Sequence, residues 1–368
     1  MKIAVMSSHT PSLFWFRLDM MREFVRRGND VVAIGNEPSD KWADKFGENG
    51  IRYISIPVQR NGTNPLKDIK AYRALKRLLK AEHPDKIFAY QAKTVIYGGM
   101  AARKLGIRDF YPLIAGVGSV FLSDGLKTRL VRKILVTEYK LGMKHAKKVF
   151  FQNPDDVEIF CRYGMVDRER VVMLNGSGVN LEKFQPLPLP ESTAFLCISR
   201  LIRDKGVCEY LQAAEAVKQK YPSARFMLVG PYDTNPSALK PEELAHYTDS
   251  GIVEYFGEQS DVRPYLSQCG IFVLPSYREG TPKTVLEAMA CERAIITTDA
   301  PGCRETVTDG ENGYLVPVRD VTALSGRMIH FIEHPELIGR MAKRGRQMVE
   351  DRFDVVKVNG VICNAMEL

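Results

Sequence analysis

The stretch Ile271-Phe-Val-Leu-Pro-Ser-Tyr-Arg-Glu-Gly-Thr-Pro-Lys-Thr-Val-Leu-Glu287 passes from an apolar quartet, through a loop of turn formers, into a helix-forming segment. Four apolar residues stopped by a proline read as a buried strand. Thr281 is expected to cap a helix whose first position is Pro282, where the missing N–H is no loss. The open amides of that first turn, near Lys283, Thr284 and Val285, would form a phosphate site at the positive end of the helix. Gly280 lets the backbone approach a ligand closely. Glu279 lies in the loop and Glu287 about one turn into the helix, so one carboxylate is placed to meet a sugar and the other a ribose. A plain strand-loop-helix with two solvated glutamates explains the same residues.

The pattern repeats outward in both directions. After the stretch, strands are expected at Ala294–Thr297 and Gly313–Val316; before it, at Thr193–Ser199, Arg225–Val229 and Val253–Phe256, with a helix over Val207–Lys220. The first half has strands at Ile3–Met6, Val31–Ile34, Tyr53–Ile56, Lys86–Ala89, Phe110–Ile114 and Val149–Phe151. Helices there are expected at about Ser12–Arg27, Pro65–Ala81 and Thr94–Leu105. Strand and helix alternating in this way imply βαβ units and parallel sheets. Between the halves, Asn175-Gly-Ser-Gly-Val-Asn180 and then Pro186, Pro188 and Pro190 read as a linker. The expectation is α/β, two doubly wound Rossmann-like domains facing each other across a cleft. They would cover residues 1–180 and 181–368, with the last helix free to pack back on the first domain.

At 368 residues, 45% hydrophobic and 26% charged, the chain has room for two cores of ordinary composition. No apolar run reaches the ~18 residues of a membrane span, and the start reads as a buried strand and not a secretory signal. Cys161, Cys197, Cys208, Cys269, Cys291, Cys303 and Cys363 are scattered, which favours free thiols in a reducing cytosol over a disulfide or zinc framework. The net charge of +8 is uneven. Through Phe184 there are 32 basic and 19 acidic residues, a net of +13; the remainder has 20 and 25, a net of −5. Such asymmetry points to an anionic partner for the first half: nucleic acid, a lipid surface or a phosphorylated substrate.

A second loop, Ser199-Arg-Leu-Ile-Arg-Asp-Lys-Gly206, again joins a strand to a helix. Arg200 offers a planar fork and Lys205 a compact charge, complementary means of stabilising a departing diphosphate. Taken alone they are two surface cations. With Asn175–Asn180 before them, the 275–287 stretch after them, and Pro301-Gly-Cys-Arg-Glu305 and Asp309-Gly-Glu-Asn-Gly313 beyond, they resemble the retaining family 4 glycosyltransferases. The resemblance covers nearly the whole chain and implies the B-type arrangement of two Rossmann-like domains. It implies that Arg200 and Lys205 hold the donor diphosphate, that Glu287 holds the ribose hydroxyls, and that Glu279 contacts the transferred sugar. Donor binding then falls on Gly280, Thr281, Pro282, Thr284, Val285 and Glu287, with Arg200, Lys205 and Glu279 catalytic. Gly116-Val-Gly-Ser119 with Phe121, Asp124 and Gly125 is similar to the subgroup acting on polyprenyl-diphosphate-linked glycans. That implies a UDP-sugar donor, with N-acetylgalactosamine the sugar first expected, and acceptor-binding candidates His9, Phe14, Trp15, Phe16, Gly116 and Gly118. The first loop departs from the family: Ser7-Ser-His-Thr-Pro-Ser12 stands where relatives carry Gly-Gly, and Ala115 where they often carry histidine or glutamate.

Two further readings come from periodicity. From Leu126 to Lys148, Arg129, Arg132, Lys133, Lys140, Lys144 and Lys147 share one helical face, opposite Leu130, Val131, Ile134, Leu135 and Leu141. The apolar face is expected on the domain core, with the basic face in water or against anionic lipid. In the first helix, Phe14, Leu18, Met21 and Val25 are expected to face the core, leaving Trp15 and Phe16 for the acceptor. Among rival functions, a dinucleotide site lacks its third glycine and its acidic residue, and no Asp-x-Asp pair offers a metal-bridged diphosphate. No essential metal or other cofactor is therefore expected. A nucleic-acid binder is disfavoured, because the basic residues are not interleaved with stacking aromatics. A sugar-nucleotide epimerase, or a transferase of the same fold with another donor or a soluble acceptor, stays open. The reading is a cytoplasmic glycosyltransferase, peripheral on the inner face of the membrane.

Overall fold

The structure is a computed structural model that describes residues 1–59, 64–121, 125–235 and 237–368, and the backbone alone at Ser119 and Lys127. Asp124, named above, lies outside the described residues. The chain divides into two compact units: residues 1–177 with 355–368, and residues 178–354.

In the first unit, β1 (Lys2–Ser7), α1 (Thr10–Arg26), β2 (Asp30–Gly35), α2 (Ser39–Gly47), β3 (Ile51–Ser55) and α3 (Pro65–Glu82) form the first half of the sheet and its cover. Then come β4 (Lys86–Tyr90), α4 (Ala92–Leu105), β5 (Asp109–Ile114), α5 (Leu126–Met143), β6 (Val149–Phe151), α6 (Pro154–Arg162) and β7 (Val171–Met173). The second unit contains β8 (Ala194–Ile198), α7 (Val207–Lys220), β9 (Arg225–Val229), α8 (Pro241–Asp249), β10 (Glu254–Tyr255) and α9 (Arg263–Leu266). It continues with β11 (Ile271–Leu274), α10 (Lys283–Ala290), β12 (Ala294–Thr298), β13 (Gly313–Val316), α11 (Val321–Glu333) and α12 (Glu336–Met348). The last helix, α13 (Val355–Ala365), belongs to the first unit.

Both sheets are parallel and of one plan. The first has the order β3-β2-β1-β4-β5-β6-β7 and the second β10-β9-β8-β11-β12-β13. Each therefore reverses direction once, between β1 and β4 and between β8 and β11, and such switch points open a crevice at the carboxyl ends of the strands. The central strands are buried on both faces, as helices on either side of a parallel sheet require. Apolar clusters fill both sides of each sheet, and fully buried rings such as Phe24, Phe88, Phe195 and Phe226 contribute about 1.5–3 kcal/mol apiece.

The sequence expectations shift in four places. Short elements α2, α6 and β7 were not foreseen; α6 starts on Asn153, whose side chain accepts from the Asp156 N–H at 2.8 Å. The unit boundary falls at 177/178 instead of 180/181, and the proline-rich passage packs on the second unit instead of linking the two. The reason is Arg293: fully buried, it donates to the carbonyls of Leu187 at 3.1 Å, Pro188 at 2.9 Å and Leu266 at 2.7 Å. On α1 the buried stripe is Leu13, Arg17, Met20, Met21 and Phe24, with Phe14, Leu18 and Val25 only partly buried beside it.

The fourth shift concerns α5, which ends at Met143 and is turned from expectation so that, of its expected apolar face, Leu135 packs on the core while Leu130, Val131, Ile134 and Leu141 are exposed. Its inner face is Tyr139, Gly142 and Met143, with Leu135 and Val136 partly buried against the same core. Gly142 abuts α4 so closely that a Cβ there would stand 2.7 Å from the Ile96 Cα, and one on Gly99 would stand 2.1 Å from the Gly142 oxygen. Backbone-to-backbone packing of this kind leaves no room for leucines between the helices. Leu130 (62% exposed) and Ile134 (53%) accordingly face solvent with Leu126 and Leu141, beside Arg129, Lys133, Lys140 and Lys144. Arg132 leaves the basic face to donate to the Val120 carbonyl at 3.0 Å, and Lys147 pairs with Glu367 at 2.8 Å.

Candidate functional site

The second switch point gathers the residues that the sequence singled out. The loop after β8 ends at Gly206, left-handed at φ 70°, where α7 begins. A Cβ there would lie 2.0 Å from the Pro275 carbonyl, so only glycine lets the 199–206 loop rest on the loop after β11. Two bonds stitch the loops together: the Tyr277 N–H donates to the Asp204 carbonyl at 2.9 Å and the Ser276 hydroxyl to the same oxygen at 3.3 Å.

That seam brings the Lys205 ammonium onto the Glu279 carboxylate in a direct ion pair, both side chains mostly buried. Glu279 is held from behind as well. Its N–H donates to the Pro301 carbonyl at 2.9 Å, and a Cβ on Gly302 would come within 2.3 Å of the Glu279 oxygen. The Pro301–Glu305 motif thus acts as a backing strap for Glu279. Arg200 turns to a different partner, Asp233, at 2.6 Å. Asp233 went unremarked in the sequence, although Gly230-Pro-Tyr-Asp233 follows β9 and so fills a third loop on the same carboxyl edge. Tyr277 also went unremarked: its hydroxyl donates to Glu209 at 2.5 Å, and the Arg319 guanidinium lies 4.6 Å from its ring centre. Burial, reinforced by Glu209, pushes the Tyr277 hydroxyl up to about 12.

The helix start differs from expectation by one residue. α10 opens at Lys283 with Pro282 in the capping position, so Thr281 is not its cap. The Val285 N–H is taken by the Pro282 carbonyl at 3.1 Å and is not open to an anion. Among the described residues no acceptor meets the Thr284 N–H, which points with the positive end of the helix at the loop. Gly280 and Thr281 lead into this turn and are half-buried. Glu287 stands one turn in, 4.0 Å from the Lys283 ammonium; burial pushes its carboxyl up, against the pull of Lys283 and Lys183. Cys303, behind the loop, is fully buried and its thiol is pushed up to about 12, the condition of an inert residue.

In the first unit the acceptor candidates separate. Trp15 and Phe16 are exposed on α1, whereas Phe14 turns inward, its ring 5.3 Å from Phe46 and 5.6 Å from Trp42. It supports Trp15, 5.4 Å away edge-on, and presents little surface itself. His9 precedes α1 at the carboxyl end of β1. Gly116 and Gly118 lie exposed in the loop after β5, both with positive φ. Among the described residues no group of three or more His, Cys, Asp or Glu side chains is placed to hold a metal ion, and no helix is long and apolar enough to cross a membrane.

Two doubly wound units, the second carrying paired cations, carboxylates and a helix start at its switch point, define a glycosyltransferase of the B-type architecture. Residues 192–334 match the family of glycosyl transferases group 1, and residues 16–176 the glycosyl transferase 4-like domain. The chain is 31% identical, over 94% of its length and 93% of the relative's, to the N,N'-diacetylbacillosaminyl-diphospho-undecaprenol α-1,3-N-acetylgalactosaminyltransferase of Campylobacter jejuni. It is 24% identical, over 84% of its length and 82% of the relative's, to the UDP-Gal:α-D-GlcNAc-diphosphoundecaprenol α-1,3-galactosyltransferase of Escherichia coli. Its fold matches sucrose-phosphate synthase of Thermosynechococcus elongatus with a TM-score of 0.81, covering 100% of this chain and 98% of that one at 20% identity. The chain belongs to the group 1, family 4-like glycosyltransferases.

Proposed function

We propose that this enzyme transfers an N-acetylhexosamine, N-acetylgalactosamine first among them, from a UDP-sugar to a hydroxyl of a polyprenyl-diphosphate-linked saccharide, with retention and without an essential metal. The observation that carries the reading is the Lys205–Glu279 pair beside the start of α10, at the switch point of the second unit. The likeness to the Campylobacter enzyme, whose name specifies that sugar and a lipid-linked acceptor, supports the choice of substrates.

As the C1–O bond of the donor breaks, negative charge grows on the β-phosphate of UDP. Arg200, Lys205 and the Thr284 amide stabilise it, and groups aimed at developing charge act where they accelerate the reaction. The acceptor oxygen attacks C1 from the face the leaving group departs, and a phosphate oxygen takes its proton. Glu287 accepts the ribose hydroxyls and Glu279 a hydroxyl of the transferred sugar. In exchange, Lys205 passes from a carboxylate to a phosphate partner without ever being left unpaired in a part-buried site.

The enzyme is peripheral on the inner face of the membrane in this reading. α5 supports it, with Leu126, Leu130, Ile134 and Leu141 exposed beside a row of four cations, the composition of a helix lying in an anionic bilayer surface. The test is a donor screen by released nucleotide, run with and without a short-chain polyprenyl-diphosphate saccharide. UDP-N-acetylgalactosamine turned over only in the presence of that acceptor is the expected result. Equal release with no acceptor, or with a free sugar in its place, overturns the reading.

A further inference from the structure

Among the described residues, the first unit buries a cation with no carboxylate to answer it. Arg17 is 2% exposed, on the inner face of α1. Among the described residues it has no hydrogen bond and no ion pair; its buried Nε lacks an acceptor, and its one close partner is the Tyr90 ring, 5.1 Å from the guanidinium. Burial pulls the guanidinium down to about 10, with no carboxylate opposing the pull. Other buried cations in this molecule are satisfied: Arg293 by backbone carbonyls, and Lys86 by Asp109 at 3.2 Å and the Met366 carbonyl at 2.7 Å. An unanswered buried charge is costly, so a native fold retains one where a further group completes it.

The surroundings indicate where that group enters. Side chains on a helix lean toward its N-terminus, which carries the Arg17 guanidinium toward the first turn of α1. In that turn Ser12 meets the Tyr90 hydroxyl at 2.9 Å. Tyr90 ends β4 and pairs in register with Ser7, the last residue of β1, so this is the switch point of the first sheet. The next residue, Gln91, is left-handed at φ 71°, a conformation that disfavours any side chain. Its amide nevertheless holds the edge together, accepting from Ser7 at 3.0 Å and Ser8 at 2.8 Å and donating to Ser12 at 3.0 Å. Backbone strain, a neutral hydroxyl network and an unanswered cation thus coincide at one crevice, in the unit whose sequence is strongly basic.

We propose that Arg17, with Ser12 and Tyr90, forms a phosphate-recognition site at this switch point, taking a phosphate oxygen of the diphosphate that links the acceptor saccharide to its lipid. The inference rests on the function proposed above and deepens it, assigning acceptor recognition to a residue that the sequence motifs pass over. A diphosphate also belongs to the donor, so the test separates the two sources.

Arg17→Met keeps most of the side-chain volume without the charge, and Arg17→Lys keeps the charge. Calorimetric titration with geranyl diphosphate and, separately, with UDP reads the two sources. In Arg17→Met, affinity for geranyl diphosphate falls by about tenfold or more, and Arg17→Lys recovers it to within about threefold. UDP affinity is unchanged in both variants. In turnover, Arg17→Met raises the acceptor KM and keeps kcat, a split that a merely structural role would not give. Unchanged geranyl diphosphate binding in Arg17→Met, or a matching loss for UDP, overturns the assignment. Should Arg17→Met not fold, a crystal of the wild type soaked with geranyl diphosphate decides the matter: a phosphate seated within about 4 Å of the guanidinium supports the proposal and one lodged elsewhere refutes it. This arm needs no turnover, so it stands apart from the transferase reading, which fails instead if the wild type releases no nucleotide with any acceptor.

Discussion

The two sheets share one strand order but finish their switch points in opposite ways. In the second unit the two cations singled out at the crevice already have carboxylates: Arg200 has Asp233 and Lys205 has Glu279. In the first unit the crevice is built of neutral hydroxyls and an amide, and its cation, Arg17, has no counter-charge among the described residues. The surfaces differ in the same sense, since the first unit also leaves the apolar row of α5 uncovered. A site with resident carboxylates exchanges one anion for another when a nucleotide arrives and is released. That suits a donor whose diphosphate must leave at every turnover. A site completed only by its ligand holds that ligand more persistently, which suits an acceptor already fixed to a membrane.

The contrast breaks most visibly at Lys205 and Arg200. Lys205→Ala removes a group proposed to meet the leaving phosphate together with its ion pair to Glu279, and Arg200→Ala likewise removes the pair to Asp233. Each should lower kcat by about 10²-fold or more, the size seen when one transition-state donor is lost. Steady-state release of UDP measures it. Near-normal turnover in both variants would mean that the pairs only stitch loops together and that the exchange of anions is not how this crevice works.

The parts of this arrangement differ in how legible they were in the sequence. The alternation of strand and helix was readable because buried parallel strands are short, continuous apolar runs; Val207–Lys220, Arg225–Val229 and Gly313–Val316 stand where the pattern put them. The cation loop and the 275–287 stretch were readable because glycine, proline and charge crowd into few positions. Asp233 was not, since a single aspartate in a loop carries no pattern and gains meaning only when β9 is laid beside β8. Arg17 was hidden by periodicity itself: assigning Phe14, Leu18, Met21 and Val25 to the core placed the arginine off the buried stripe, whereas Leu13, Arg17 and Met20 lie on it. α5 misled for the converse reason. Most of its aliphatic residues looked like a core face, and only the close approach of Gly142 and Gly99 shows that the helix turns Tyr139, Gly142 and Met143 inward.

The uncovered row on α5 offers a second, smaller way to test the contrast between the units. Ile134→Ser removes an apolar side chain that is 53% exposed, so folding should be nearly unaffected. Binding to vesicles containing anionic lipid should weaken by about tenfold, the value of withdrawing one aliphatic side chain from an apolar medium. Co-sedimentation at low and moderate salt measures it. Binding that is unchanged, or absent from the wild type at low salt, would return α5 to the status of an ordinary solvated helix.

The smallest expected effect is at Glu287, and its sign is informative. Burial raises the carboxyl above its ordinary value, more than Lys283 and Lys183 lower it. The folded state therefore holds a proton that the unfolded chain has given up, through the interval between the ordinary and the raised value. Stability falls as pH rises through that interval, so ionising Glu287 is a cost to the fold. Glu287→Gln removes the charge and keeps the shape, so Tm at pH 7 should rise by about 2 °C. A residue kept at such a cost is kept for a ligand: the same variant should bind UDP about tenfold more weakly, because an amide oxygen is a poorer acceptor of ribose hydroxyls than a carboxylate. Thermal unfolding and calorimetric titration on one preparation read both changes. If Tm rises while UDP binding stays as in the wild type, Glu287 is not the ribose acceptor, and the second crevice holds its nucleotide through the phosphates alone.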